Sequence, residues 1–224
     1  PNTPCHLLPV GSNIPVAPTA RARMRAQLGF DVGTTVLGFF GSAHESRDLA
    51  LLRRALNERV IVQKSTVLLY VGHAGAALRA ALPNIRVQDA GALPPEAVSQ
   101  HLAAMDLYLA PFRDGVSTRR GSFMVGLQHG LPTLTTLGPD TDASLRSATG
   151  TAFAAVEQGD AEAYASQMHR LLQRAELRDE LGRSGSALYR ETYDWPLLAP
   201  QLINGLFAPA SVASEPSVPA PPAS

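Results

Sequence analysis

The stretch PFRDGVSTRRGSFMVGLQHGLP, residues 111–132, places a strand end, a polar loop and a helix start in immediate succession. An apolar run ends at Pro111, and Phe123, Met124 and Leu127 then recur at helical spacing. Between them lies a loop rich in Gly, Ser, Thr and Arg. A strand that passes through a short loop into a helix is the repeating unit of α/β folds, and this stretch therefore favours that class.

The same stretch is suited to an anion. Backbone N–H groups near Gly121 and Ser122 should point into the loop, because the first turn of a helix leaves unsatisfied donors and a partial positive charge. Arg119 and Arg120 add forked guanidinium groups that fit phosphate oxygens. The alternative is that both arginines are solvated surface charges beside an ordinary turn.

Outward from this stretch, apolar strand-like runs alternate with helical segments. Strands are predicted at residues 36–41, 67–72, 85–91, 106–111, 133–136 and 152–156, and helices at residues 46–60, 76–82, 95–105, 121–129 and 160–193. Strands that are apolar on both faces and are separated by helices indicate a parallel sheet covered on both sides. The sequence therefore predicts an α/β fold with a doubly wound, Rossmann-like parallel sheet.

The two ends of the chain differ in composition from its centre. Residues 1–20 are Pro-rich, and we interpret them as an extended linker rather than a signal peptide. Residues 208–224 consist mainly of Ala, Pro and Ser, which predicts a disordered tail. Residues 21–207 are the predicted Rossmann-like domain, and we expect the chain to be a fragment of a longer protein.

Composition excludes several classes of function. Nineteen basic and nineteen acidic residues give no net charge, so nucleic acid or an anionic membrane is not expected as the main partner. Cys5 is the single cysteine and the six histidines lack metal-ligand spacing, so we expect no structural metal. No apolar run approaches the roughly 20 residues that span a bilayer. The absence of GxGxxG, P-loop and GxSxG motifs disfavours dinucleotide oxidoreductases and ATPases.

Ligands of doubly wound sheets bind in the loops at the carboxyl ends of the strands. The first such loop, GSAHESRD, contains Gly41 and Ser42, which let a ligand approach the backbone, and Arg47, which lies beside the next helix. Gly72 and His73 follow the second strand, AGALPPE follows the third and DGVSTRRGS follows the fourth. Such loops beside helix starts favour a nucleotide diphosphate as ligand.

Each loop also has a simpler interpretation. Glycine after a strand is usually turn chemistry, and a loop histidine is more often hydrogen-bonded than catalytic. Arg47 could form a surface ion pair with Glu45 or Asp48. These alternatives remain open from the residues alone.

The order of elements resembles the carboxy-terminal, donor-binding domain of retaining glycosyltransferases of the GT-B fold, in the large family-four group (group 1). The resemblance covers most of the chain, and it implies that residues 1–20 are an interdomain linker. Its motifs are VGSNIP at residues 10–15, VLGFFGSAHESRDLALLRRAL at residues 36–56, LLYVG at residues 68–72, HGLPTLTT at residues 129–136 and YDWPLLA at residues 193–199. The most specific signal is the spacing between PF..G.S.RRG and HGLP.

The resemblance implies a role for each carboxyl-end loop. Arg47 would bind the donor diphosphate beside Gly41 and Ser42. The second and third loops would hold the base and ribose through Gly72, His73, Gly91, Ala92 and Leu93. The fourth loop would cradle the diphosphate and sugar through Asp114, Gly115, Val116, Ser117, Thr118, Arg119 and Arg120. Arg47, Arg119 and Arg120 would be the catalytic residues, because they stabilise the charge of the leaving group.

The resemblance also implies the reaction. The protein would transfer a sugar from a nucleotide diphosphate sugar to an acceptor held by a missing amino-terminal domain, without a metal, a cofactor or a protein nucleophile. We expect a bacterial-type, cytoplasmic transferase with no transmembrane segment, peripheral at a membrane only through the missing domain. This chain alone is expected to be inactive.

One departure from the family keeps other functions open. Many members carry two glutamates separated by seven residues, and the matching positions here are Ser117 and Val125. If Asp114 is aligned with the first glutamate, Ser122 stands at the second. The alternatives are therefore a non-catalytic module that binds a nucleotide sugar and a degenerate scaffold without a ligand.

Overall fold

The computed structural model describes residues 8–42, 44–57 and 65–207. Six strands form one sheet in the order β3-β2-β1-β4-β5-β6, and every pair is parallel. The strands are β1 (Thr35–Phe40), β2 (Thr66–Val71), β3 (Val87–Asp89), β4 (Leu107–Ala110), β5 (Thr133–Leu137) and β6 (Ala154–Glu157). The predicted fold class is confirmed.

Helices connect the strands and cover the sheet. They are α1 (Arg21–Gln27), α2 (Leu49–Leu56), α3 (Gly75–Ala81), α4 (Pro95–Leu102), α5 (Gly121–Gln128), α6 (Ala143–Ala148), α7 (Ala161–Gln173), α8 (Ala175–Leu188) and α9 (Trp195–Phe207). A π-helical segment, Tyr189–Tyr193, lies between α8 and α9. No helix in the described ranges is long and apolar enough to cross a membrane.

The strand order reverses beside β1. Leu37 pairs with Leu68 of β2 on one side and with Leu107 of β4 on the other. The helices after β1 and β4 therefore lead away from each other, which opens a crevice at the carboxyl ends of these two strands. This crevice is where the candidate loops of the sequence come together.

Alternate residues of the central strands fill two cores, one on each face of the sheet. Val36 and Val67 belong to one core, and Leu37 and Leu68 belong to the other. All four side chains are fully buried. Burial of an aliphatic side chain of this size contributes roughly 1.5–3 kcal/mol, so β1 and β2 form a stable base for the loops that follow them.

The predicted helix at residues 160–193 is divided in the structure. Asp160 caps α7, since its carboxylate accepts a hydrogen bond from the Ala163 N–H at 2.9 Å. Arg174 has extended backbone angles, φ −116° and ψ 92°, which end α7 and precede α8. The last residues of the range form the π-helical segment instead of an α-helix.

Three helices were absent from the sequence prediction: α1, α6 and α9. α6 has six residues, and α9 contains Pro196 and Pro200, which oppose a helix prediction. Met24 of α1 and Leu198 of α9 are buried, so tertiary packing stabilises helices whose sequences signal them weakly. The predicted helix at residues 46–60 begins later, at Leu49, and its last three residues lie outside the described ranges.

The described part of the predicted linker packs against the domain. The Ser12 N–H donates to the Tyr189 hydroxyl at 2.9 Å, and Trp195 Nε1 donates to the Ser12 carbonyl at 2.7 Å. The side chain of Ile14 is buried in the core. The division at residue 20 stays a prediction, and the predicted disordered tail, residues 208–224, lies outside the described residues.

Candidate functional site

The first three carboxyl-end loops are hydrogen-bonded to one another. The Gly41 N–H donates to the Val71 carbonyl at 3.0 Å, and the Gly72 N–H donates to the Gly91 carbonyl at 2.9 Å. The Tyr70 hydroxyl donates to the Gly41 carbonyl at 2.8 Å and accepts from the Ala74 N–H at 2.9 Å. Burial raises the pKa of Tyr70, so its hydroxyl keeps the proton that it donates.

Two glycines of these loops are required by the backbone. Gly41 has a φ of +104°, a conformation that side chains with a Cβ rarely adopt. A Cβ on Gly72 would overlap the Gly41 carbonyl oxygen and the Tyr70 hydroxyl. These two glycines therefore allow the first two loops to pack closely against each other, independently of any ligand that the loops bind.

Arg47 is the most unusual residue of the site. It follows the first loop, one residue before the N-cap of α2, and only 3% of its surface is exposed. Its Nη2 donates to the Phe40 carbonyl at 2.7 Å and to Ser122 Oγ at 2.9 Å. Its Nη1 is buried without a hydrogen-bond partner among the described residues.

Two aromatic rings flank the Arg47 guanidinium. Its Cζ lies 4.9 Å from the centroid of Phe39 and 4.4 Å from that of Phe112. Neither Glu45 nor Asp48 forms an ion pair with it, and Asp48 caps α2 by accepting from the Leu51 N–H at 2.8 Å. The surface ion pair considered from the sequence is therefore wrong.

A buried cation without a carboxylate is costly unless another anion binds it. Ring faces offset a fraction of that cost, because cation–π contacts contribute roughly 0.5–2 kcal/mol each. Tyr108 is also close: its hydroxyl donates to the Ser122 carbonyl at 2.8 Å. Burial raises the pKa of Tyr108, and the charge of Arg47 partly opposes that rise. The Arg47 guanidinium therefore lies in surroundings that suit an anionic ligand.

The fourth loop brings two further arginines to the site. Arg119 and Arg120 each place a guanidinium nitrogen 3.9 Å from one carboxylate oxygen of Asp140. The Arg120 Cζ lies 5.0 Å from the centroid of Phe112, which also contacts Arg47. The Phe112 ring therefore contacts two of the three arginines that were predicted to be catalytic.

The start of α5 lies beside these arginines. No described group accepts a hydrogen bond from the N–H of Gly121 or Ser122, as expected for the first turn of a helix. Arg120 precedes the helix without a side-chain cap. Two free amides and the Ser122 hydroxyl therefore lie beside the Arg47 guanidinium, an arrangement that suits a phosphate.

Other amides of the fourth loop are already engaged. The Val116 N–H donates to the Thr136 carbonyl at 2.8 Å, and the Thr118 N–H donates to Asp142 Oδ2 at 2.6 Å. Gly115 has a φ of +86°. These contacts fix the loop in place. The N–H groups of Ser117 and Arg119 donate to no described group, so they add free donors to those at the start of α5.

The predicted site residues differ in exposure. Exposed are Ser42, His73, Ala92, Asp114 and Arg119; partly buried are Gly41, Gly91, Leu93 and Arg120; buried are Arg47, Gly72, Gly115, Val116, Ser117 and Thr118. The Val116 side chain packs in the core. The roles of the base and ribose loops stay predictions.

Sequence reasoning missed several residues that support the arginines. Phe39 and Phe112 were considered only as parts of the first-strand and fourth-loop motifs, without a role beside the arginines, and Asp140 and Asp142 follow β5 without any motif. The contacts of Asp140 and Asp142 with the fourth loop span 20 or more positions in sequence, so no local signal marks these two aspartates. No described cluster of three or more His, Cys, Asp or Glu side chains could hold a metal ion.

The fold and its crevice define a class, the Rossmann-like carboxy-terminal domain of GT-B glycosyltransferases. Sucrose-phosphate synthase from Thermosynechococcus elongatus matches with a TM-score of 0.72 and 21% identity, over 91% of this chain and 53% of that chain. Anabaena HepE, solved with UDP and glucose, matches with a TM-score of 0.69 and 16% identity, over 84% of this chain and 52% of that chain. This chain thus spans about half the length of both.

A solved carboxy-terminal domain is covered almost entirely. This domain of a glycosyl transferase group 1 family protein from Francisella tularensis matches with a TM-score of 0.61 and 11% identity, over 84% of this chain and 97% of that chain. The sequence profile of the family described as Glycosyl transferases group 1 matches residues 34–174, and the chain belongs to this family. The resemblance found from the motifs is confirmed. No curated protein sequence matches the chain significantly.

Proposed function

We propose that this chain is the donor-binding half of a retaining glycosyltransferase that uses a nucleotide diphosphate sugar. The buried, unpaired Nη1 of Arg47 carries the proposal. A diphosphate placed between Arg47 and the start of α5 would supply the missing acceptor and would use the free amides of Gly121 and Ser122. The complexes of Anabaena HepE with UDP and with UDP-glucose make uridine nucleotides the first ligands to test.

In the proposed reaction the acceptor oxygen bonds to the anomeric carbon while the bond from that carbon to the diphosphate breaks. The acceptor proton passes to the released diphosphate, so no protein nucleophile is needed. Negative charge grows on the leaving group, and Arg47, Arg119 and Arg120 stabilise it together with the helix-start amides. We propose that neither a metal nor a cofactor takes part.

The acceptor would be held by an amino-terminal half of the full-length protein. The matched transferases are about twice as long as the matched region, which is consistent with such a half. Leu197, Leu202 and Ile203 of α9 expose 40–55% of their surface, and contact with a second domain would bury apolar side chains of this kind. On this proposal the chain alone binds donor but does not transfer sugar, and the transferase acts in the cytoplasm, peripheral at a membrane only through the absent half.

Nucleotide titration by calorimetry tests donor binding. We expect one of UDP, GDP or ADP to bind without magnesium, and Arg47→Gln to weaken that binding by about tenfold or more, since a charge-assisted hydrogen bond contributes about 1.5–3 kcal/mol. Arg47→Lys should retain part of the affinity. Arg53→Gln, an exposed arginine of α2, removes the same charge and should change nothing.

Equal affinities of Arg47→Gln and Arg53→Gln would contradict the proposed diphosphate site. Failure of the folded wild-type chain to bind any nucleotide would contradict the proposed function as a whole. The amide NMR spectrum of each variant shows whether the variant has folded.

A non-catalytic binding module is the second candidate. Ser117 and Val125, which stand where many family members have glutamates, are both buried and present no carboxylate. Sugar transfer by the full-length protein separates the two candidates, and the anomeric configuration of the product tests retention. Donor binding without transfer would favour the module, and absence of both would favour a degenerate scaffold.

A further inference from the structure

A second cavity, of about 500 Å³, lies at the opposite edge of the sheet from the candidate nucleotide site. Pro132 lines it and immediately precedes β5, so the cavity is at the amino end of that strand. The candidate donor loops follow the carboxyl ends of the strands, and the sheet therefore separates the two sites. The cavity is open to solvent, so a ligand can enter it directly.

Basic side chains dominate the lining of this cavity. Arg178, Arg183 and Arg190 line it together with Asp179, which gives three positive charges, one negative charge and a formal sum of +2. Within the described ranges, no carboxylate lies within 4.0 Å of any of the three guanidiniums. The nearby Arg25 differs, since it is paired with Asp106 at 3.1 Å.

The Arg178 side chain is held in place by the protein. Its Nη1 donates to the Leu171 carbonyl at 2.6 Å and to the Leu172 carbonyl at 2.8 Å, both in the last turn of α7. Its Nε and Nη2 donate to no described group and remain available. A fixed guanidinium loses less entropy on binding an anion than a free one.

The rest of the lining is small and polar. A Cβ on Gly182 would overlap the Gly130 carbonyl oxygen, so α8 approaches the turn before β5 too closely for a side chain at this position. Ser186 adds a hydroxyl that has no hydrogen-bond partner among the described residues. Arg190 belongs to the π-helical segment, a kind of turn that is frequent at functional sites.

We infer that this cavity is a second anion site, which binds the phosphate group of a phosphorylated compound. A phosphate monoester carries about −1.5 to −2 charges at neutral pH, which matches the formal +2 of the lining, whereas a single carboxylate would leave half of it unneutralised. Forked guanidiniums also fit the oxygens of a phosphate. A soluble phosphate and the phosphate of a lipid headgroup present the same group to the cavity.

Amide NMR during titration with inorganic phosphate tests the site and separates it from the nucleotide site. We expect saturable shifts of the Gly130, Gly182 and Ser186 amides, and a separate response, if any, of Gly121 and Ser122. Arg183→Gln combined with Arg190→Gln should weaken the first response by about tenfold or more, since charge-assisted hydrogen bonds are lost. Arg53→Gln combined with Arg170→Gln removes the same charge from exposed positions outside the lining and should leave both responses unchanged.

Linear, non-saturating shifts at Gly182 and Ser186, or equal responses of the two double variants, would overturn the inference. Sedimentation with vesicles of phosphatidic acid and phosphatidylcholine then identifies the source of the phosphate. Vesicle binding that is lost in Arg183→Gln/Arg190→Gln supports a lipid headgroup. Saturable phosphate binding without vesicle binding supports a soluble compound.

Discussion

At the scale of single residues, the three site arginines differ in how their charge is neutralised. Arg47 is buried and faces aromatic rings, a carbonyl and a hydroxyl, whereas Arg119 and Arg120 share the carboxylate of Asp140. A diphosphate would therefore add a partner to Arg47 but replace one at Arg119 and Arg120. We expect Arg47 to contribute mainly to binding and the other two to contribute as charge grows on the leaving group.

Replacement of Arg119 tests this division in the full-length transferase. Arg119→Ala should lower kcat by about 100-fold while KM for the donor changes little, because the side chain is 60% exposed and already paired in the free protein. Steady-state kinetics with the cognate donor measures both constants. Arg113→Ala, an exposed arginine of the same loop, is the control, and wild-type turnover in Arg119→Ala would refute the assigned role.

The position of Arg47 was predictable from sequence, but its surroundings were not. The residue stands between a glycine turn and a helix start, and that local pattern predicts an anion ligand. Its contacts with Phe112 and Ser122 join residues that are 65 and 75 positions apart in sequence. Only the completed sheet brings these residues together. The same holds for Gly72, whose need for glycine comes from Gly41 on the neighbouring loop.

At the scale of elements, α5 connects the candidate site to the opposite edge of the sheet. Its first residues present the free amides, and His129 follows its last residue. The carbonyl of Val125 can only accept, so His129 Nδ1 carries the proton and donates at 2.9 Å. Nε2 then accepts from the Ser99 hydroxyl at 3.0 Å, while Ser99 Oγ accepts from the Ala17 N–H at 2.9 Å.

This hydrogen-bond chain predicts loss of stability in mild acid. Burial lowers the pKa of His129 below its usual value of about 6.5, so the unfolded chain takes up the proton first as the pH falls. The stabilisation is complete above about pH 6.5 and decreases below it, until His129 also becomes protonated in the folded chain. Urea denaturation of the wild type should therefore show a lower free energy of unfolding at about pH 5.5 than at about pH 7.5.

His129→Gln should reduce that difference, and His73→Gln, which changes an exposed histidine, should preserve it. An identical pH dependence in the wild type and His129→Gln would show that other groups are responsible.

Prediction from sequence was strongest for helices such as α5. This helix was located to within a residue because its apolar spacing is regular. The short α6 and the proline-containing α9 lack such spacing, and their burial against neighbours stabilises them.

At the scale of the whole molecule, the first and last segments of the described part of the chain contact each other. The amino-terminal segment, residues 8–20, lies against the π-helical segment and α9 through Ser12. The Val10 N–H also donates to the Thr118 carbonyl at 2.9 Å, so the segment touches the fourth loop. Alternating strands and helices predicted the class of this fold, but the composition of the amino-terminal segment did not predict that it packs.

Two variants test the contact between these two segments independently. Trp195→Phe removes the donor to the Ser12 carbonyl, and Tyr189→Phe removes the acceptor of the Ser12 N–H. Each should lower the free energy of unfolding by about 1 kcal/mol, the usual contribution of one hydrogen bond, and should accelerate hydrogen exchange at Val10 and Ser12. Unchanged exchange at both amides in both variants would mean that these bonds do not hold the segment.

The bond between Ser12 and Trp195 also sets an order of events during synthesis. It joins positions 183 residues apart, so the amino-terminal segment leaves the ribosome long before its partner exists. At about 5–20 residues per second, the delay is roughly 10–40 s. Through that interval the Ser12 carbonyl lacks the tryptophan donor, and the nascent chain is open to chaperones and proteases at this segment until translation passes α9.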